Sequence, residues 1–142
     1  MKIIEKIKKV LSDRKEQRER KTQKIQADIF SLGFNKIKFP ILIQDGDDLT
    51  AVHDFEHFIS DSDIHFFEFE ATVKLIDSEG RQFTWGYNFV FKTNFPNNFV
   101  QNMTLEEVKE IADKYFKNSK VKPELGSAST TKELIDILSE YL

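Results

Sequence analysis

Between residues 64 and 92 the chain alternates apolar and polar positions in two long runs. His65, Phe67, Phe69, Ala71, Val73 and Leu75 fall on one side of an extended segment; Phe83, Trp85, Tyr87, Phe89 and Phe91 fall on one side of the next. Period-two alternation over this length predicts two half-buried antiparallel strands, 64–76 and 82–92. Parity selects the loop between them. A four-residue loop sets apolar Leu75 opposite polar Gln82. A three-residue loop, Ser78-Glu79-Gly80, sets Leu75 opposite Phe83 and puts glycine at the left-handed position such loops use. Carried outward, that register pairs Val73 with Trp85, Ala71 with Tyr87 and Phe69 with Phe89. Gly86, inside the second strand, predicts a bulge or a close backbone approach.

At the N-terminus the period is helical. Ile3, Ile4, Ile7, Val10 and Leu11 form a stripe that stops at Ser12 and resumes at Ile25, Ile29, Phe30 and Leu32. The intervening residues favour helix, and Lys15–Glu19 and Glu16–Arg20 stand four apart. One long helix follows, anchored at both ends around a solvated middle and capped by Gly33; two shorter helices are the alternative. Ile37, Phe39, Ile41 and Ile43 alternate as a strand, with Pro40 at an edge or beside a bulge. Asp45-Gly46-Asp47-Asp48 reads as a turn, and Leu49, Val52, Phe55 and Ile59 as a short helix over 49–59. Phe95-Pro96-Asn97-Asn98 reads as a loop. Thr104 with Glu107, and Thr130 with Glu133, are capping-box patterns opening two further amphipathic helices; residues 120–122 leave room for a short strand between them. The sum is an α+β domain over 1–142. It has a long N-terminal helix, an antiparallel sheet centred on the 64–76/82–92 hairpin, and two C-terminal helices packed on one sheet face.

Composition narrows the chemistry. With no cysteine among 142 residues, disulfides, thiolate metal sites and cysteine nucleophiles are excluded. No apolar run approaches the roughly 20 residues of a membrane span, and the N-terminus has no signal-peptide pattern. A cytoplasmic protein with no membrane partner is the expectation. Charge is distributed unevenly. Residues 1–38 hold 12 Lys and Arg against 5 Asp and Glu, whereas residues 39–73 hold 9 acids and no Lys or Arg.

His53-Asp54-Phe55-Glu56-His57 resembles the H-x-x-E-H pattern of the inverted zinc peptidases. That resemblance implies zinc held by His53 and His57, four apart on a helix, with Glu56 as base. It covers five residues of a chain much smaller than those peptidases, and their further carboxylate ligand has no counterpart. A solvated helix face is therefore expected, with no metal and no cofactor. Asp45 to Asp48 lacks the remaining oxygens of a calcium loop, and His65 reads as a core-margin histidine. No phosphate-binding glycine loop and no nucleophile elbow occurs.

What remains concerns partners, and no enzyme activity is expected. Asp45, Asp47, Asp48, Asp54, Glu56, Asp61, Asp63, Glu68 and Glu70 form a block suited to a basic protein surface. Its size and acidic patterning are of the kind found in small phage or mobile-element inhibitors of nucleic-acid-handling enzymes, such as anti-CRISPR or anti-restriction proteins. Arg14, Lys15, Arg18, Arg20 and Lys21 give an alternative, a nucleic-acid-binding accessory protein working through the first helix, with Asp13, Glu16 and Glu19 interleaved.

Overall fold

The computed structural model describes residues 2–142. Five antiparallel strands form one sheet in the order β2-β1-β3-β4-β5: β1 (Ile41–Asp45), β2 (Asp48–Val52), β3 (Lys74–Ile76), β4 (Arg81–Asn88) and β5 (Thr93–Asn102). Successive residues of a strand point to opposite faces, and here both faces are covered. Ile41, Ile43, Val52, Leu75 and Phe83 face a core shared with Phe34, Phe58 and Ile64. Leu42 and Ile76 face the C-terminal helices α4 (Leu105–Phe116) and α5 (Thr131–Ser139), packing with Val108, Ala112, Leu134 and Leu138. The α+β architecture and the placement of the C-terminal helices on one face are as the sequence predicts. Burial on both sides explains why Ile41-Leu42-Ile43 is apolar without a break.

Both C-terminal helices start as their caps foretell. Thr104 and Glu107 make the reciprocal capping box of α4. The Thr130 hydroxyl caps α5 by accepting from Glu133 N–H, but the Glu133 carboxylate reaches back to Ser129 instead, at 3.0 Å from both its amide and its hydroxyl. No strand forms at 120–122.

The N-terminal helix α1 (Lys2–Phe30) is continuous, yet anchored at one end only. Ile29 is its single buried residue, and Phe30 packs edge-on against Phe55 at 5.2 Å. Among the described residues no other element covers the first stripe: exposure runs from 48% at Val10 to 72% at Ile3. Gly33 is not a left-handed cap, for its φ of 178° is extended backbone. It is needed because a Cβ there would strike the Pro96 carbonyl oxygen.

The turn between β3 and β4 has the expected register, Leu75 opposite Phe83 and Ile76 opposite Gln82, with Gly80 at φ +79°. Its organiser is Asp77, a fully buried carboxylate. One oxygen accepts from the amides of Glu79 and Arg81, each at 3.0 Å. The other accepts from the Lys38 amide at 3.2 Å and from Arg81 Nε and Nη2 at 2.9 and 2.6 Å.

Beyond Leu75 the predicted hairpin ends. Residues 64–73 are not a strand, and Val73–Trp85, Ala71–Tyr87 and Phe69–Phe89 do not pair. β4 runs instead beside β5, with Trp85 opposite Pro96 and Tyr87 opposite Asn94. Phe95 to Asn98, expected as a loop, lie within this edge strand, where Pro96 is tolerated. Gly86 provides close approach, since a Cβ there would lie 2.5 Å from the Phe95 ring. Residues 49–59 divide into β2 and the short helix α2 (Phe55–Ser60). The missed signal is Gly46-Asp47, a two-residue hairpin turn with Gly46 at φ +59°. β1 starts at Ile41, so Pro40 precedes the strand, and Phe34–Lys36 form a 3-10 turn.

Candidate partner-binding surface

The fold divides the acidic block. Asp45, Asp47 and Asp48 sit at the β1–β2 turn, where Asp45 faces Asp48. Asp47 lines a cleft of about 350 Å³ together with Lys114 and Lys117 from the end of α4. Gly46 also shares a cleft with Ala71, Thr72 and Lys74, so the chain just past Glu70 returns to this same turn. Lysines distant in sequence therefore line the same clefts as this turn.

The other half surrounds α2 and α3 (Ser62–His65). Two of its aspartates have structural work. Asp54 caps α2 by accepting from the His57 amide at 2.8 Å, and Asp61 caps α3 by accepting from the Asp63 amide at 3.0 Å. Glu56, Asp63 and Glu68 are exposed. His53 precedes α2 and so shares no helical face with His57. His57 Nδ1 accepts from the His53 amide at 3.0 Å, which commits that ring nitrogen to the chain's own backbone. Among the described residues no group of three or more His, Asp or Glu side chains converges as a metal site would require. His65 Nδ1 lies 2.7 Å from the Asp61 carbonyl, and its ring packs between Phe58 and Phe66.

Next to Asp63 and Glu68 lies a surface that period-two reasoning misses. Phe66 and Phe67 meet edge-to-face at 5.2 Å, Tyr87 and Phe89 at 5.0 Å, and the Tyr87 hydroxyl donates to the Phe66 carbonyl at 2.7 Å. That hydrogen bond joins the two ring pairs into one patch. Phe67 is 58% exposed, Phe89 74%, and the adjoining Val90 84%.

One buried side chain holds the Phe66–Phe67 side of the patch in place. Asn94 Nδ2 donates to the carbonyls of Ile64, His65 and Phe67 at 3.0, 3.3 and 2.7 Å, and its Oδ1 accepts from the Phe69 amide at 2.9 Å. Buried backbone groups need partners. Asn94 supplies them here, and residues 64–69 need no neighbouring strand. Asn94 acts across about thirty residues, so no local pattern reveals it. Consecutive Phe66 and Phe67 could have signalled the patch, because a half-buried strand does not place two large apolar residues in succession.

The basic residues Arg14, Lys15, Arg18, Arg20 and Lys21 all stand on the exposed part of α1. Arg20 and Glu16 form the expected pair at 3.7 Å, both largely exposed. Among the described residues Lys15 and Glu19 form none within 4.0 Å. No helix described is long and apolar enough to cross a membrane. Compared with known proteins, the chain matches no family model, no curated protein and no solved structure.

Proposed function

We propose that the chain is a non-catalytic protein-binding module whose docking surface is the aromatic patch of Phe66, Phe67, Tyr87 and Phe89 with its acidic rim of Asp63 and Glu68. The observation that carries this reading is that two surface ring pairs are joined by the Tyr87–Phe66 hydrogen bond, with the Phe66–Phe67 side fixed by a buried asparagine. Aromatic side chains supply much of the energy of protein interfaces, and carboxylates around them steer a basic partner. The complementary surface is apolar with a cationic border. Inhibition of a nucleic-acid-handling enzyme is one use of such a module, because those enzymes present basic surfaces.

Compared with the acidic block as a whole, this site is smaller and moves away from the β1–β2 turn. Capture from a cell extract by immobilised protein distinguishes the two. Phe67→Ser with Phe89→Ser removes the apolar contacts, whereas Asp45→Lys with Asp47→Lys alters the turn. The expected result is a specific protein retained by the parent and the turn variant and lost with the patch variant. Retention by the patch variant overturns the proposal. Free duplex DNA captured through α1, with no protein retained, favours the nucleic-acid reading instead.

A further inference from the structure

The exposed stripe of α1 continues into charge of a single sign. At about 100° per residue, Arg14, Arg18 and Lys21 project within about 40° of the centre of the Ile3, Ile4, Ile7, Val10, Leu11 stripe. Glu5, Asp13, Glu16 and Glu19 project about 120° or more away from it. The acids that interleave in sequence are thus segregated on the helix. One face of α1 is apolar and then cationic, and it is exposed from Lys2 to Gln23. This is the chemical complement of the aromatic and acidic patch on the body.

We infer that the partner of that patch is α1 of a second copy of this chain. The inference rests on the reading of the patch as a docking surface. Ile3, Ile7 and Leu11 lie against Phe66, Phe67 and Phe89 of the other copy, while Arg14 and Arg18 approach its Asp63 and Glu68. Within one chain, arm and receptor are rooted in the same layer. Ile29 shares a core with Phe58 and Ile64, and Phe30 packs on Phe55 of α2. In a two-fold exchange of arms each copy gives one helix and receives one, so the contact closes as a dimer. A helix of 29 residues is about 43 Å long, enough to span a partner of this size. Parallel pairing of α1 with α1 is disfavoured, because a seam through the stripe brings Arg14, Arg18 and Lys21 of both copies together; antiparallel pairing is left to the test.

The test is sedimentation equilibrium of the full chain from micromolar to submillimolar concentration, with circular dichroism confirming that each variant folds. The parent is expected to be a dimer. Ile7→Glu with Leu11→Glu, and separately Asp63→Lys with Glu68→Lys, should each raise the dimer dissociation constant about tenfold or more. Arg14→Glu with Arg18→Glu should weaken it likewise, and should restore dimerisation when combined with Asp63→Lys and Glu68→Lys. A parent monomeric throughout overturns the inference, including one that binds anionic vesicles or DNA through α1. A dimer lost with the α1 variants but kept by the body variants overturns it too, and points to helix-on-helix pairing. Because a dimer fills the patch with α1, extract capture is also run with the Ile7→Glu, Leu11→Glu variant, whose patch is free; a monomeric parent that still retains a protein through the patch leaves the docking surface intact and removes only the second copy.

Discussion

Asp77 and Asn94 stand at opposite ends of β4 and solve the same problem at different range. Each is a buried polar side chain that satisfies backbone groups no strand reaches. Asp77 works mostly within its own turn, on Glu79 and Arg81, and reaches farther only to Lys38. Asn94 works on residues 64–69, about thirty positions back. The Asp77 site carries charge and lies buried at a turn; the Asn94 site is neutral and holds one side of a surface patch. A short turn organised by its own first residue is a local event. A loop organised by a distant strand exists only once that strand is in place.

The largest effect should come from breaking the charged site. Asp77→Ala leaves three backbone amides and part of the Arg81 guanidinium without their acceptor, and should cost about 3–5 kcal/mol. Urea denaturation at neutral pH measures it, and a loss under about 1 kcal/mol would show that water replaces the carboxylate. Asn94→Ala should cost less, about 2–3 kcal/mol, since every group it leaves unpaired is neutral. Its distinguishing mark is local. Hydrogen exchange should accelerate at the Phe69 amide and its neighbours while the amides of the β3–β4 turn stay protected, and partner capture should fall with it. Uniform acceleration across both regions would mean the patch is not separately held.

The smallest effect belongs to the outer layer of the Asp77 turn. The Lys38 ammonium, 2.9 Å from Glu79, holds that exposed carboxyl below its usual range chiefly through a hydrogen bond, with Arg81 adding to it. A pKa lowered on folding favours the folded state above the ordinary glutamate range and loses that contribution as the pH falls through it. Glu79→Gln should therefore shift the unfolding midpoint slightly at pH 7 and not at pH 3. An equal shift at both would assign the effect to packing rather than charge.

Much of the frame was legible in the sequence. The capping pairs at Thr104 and Thr130 set helix starts because their bonds close within three residues. The register of Leu75 with Phe83 followed from parity, and the length of α1 followed from propensity. The candidate surface was legible only as a run of acids. Three of that run stand at a turn whose clefts Lys74, Lys114 and Lys117 also line, and two others cap helices. What tertiary structure alone decided is where the alternating pattern stops being a strand. Residues 64–73 carry strand-like periodicity, but a strand is set by the backbone partners available to it, and Asn94 and β5 compete for them. Burial works the same way. The sequence determined that Ile3 to Leu11 line one face of a helix, because periodicity is a property of the chain. Whether that face is covered depends on another surface, and among the described residues none reaches it.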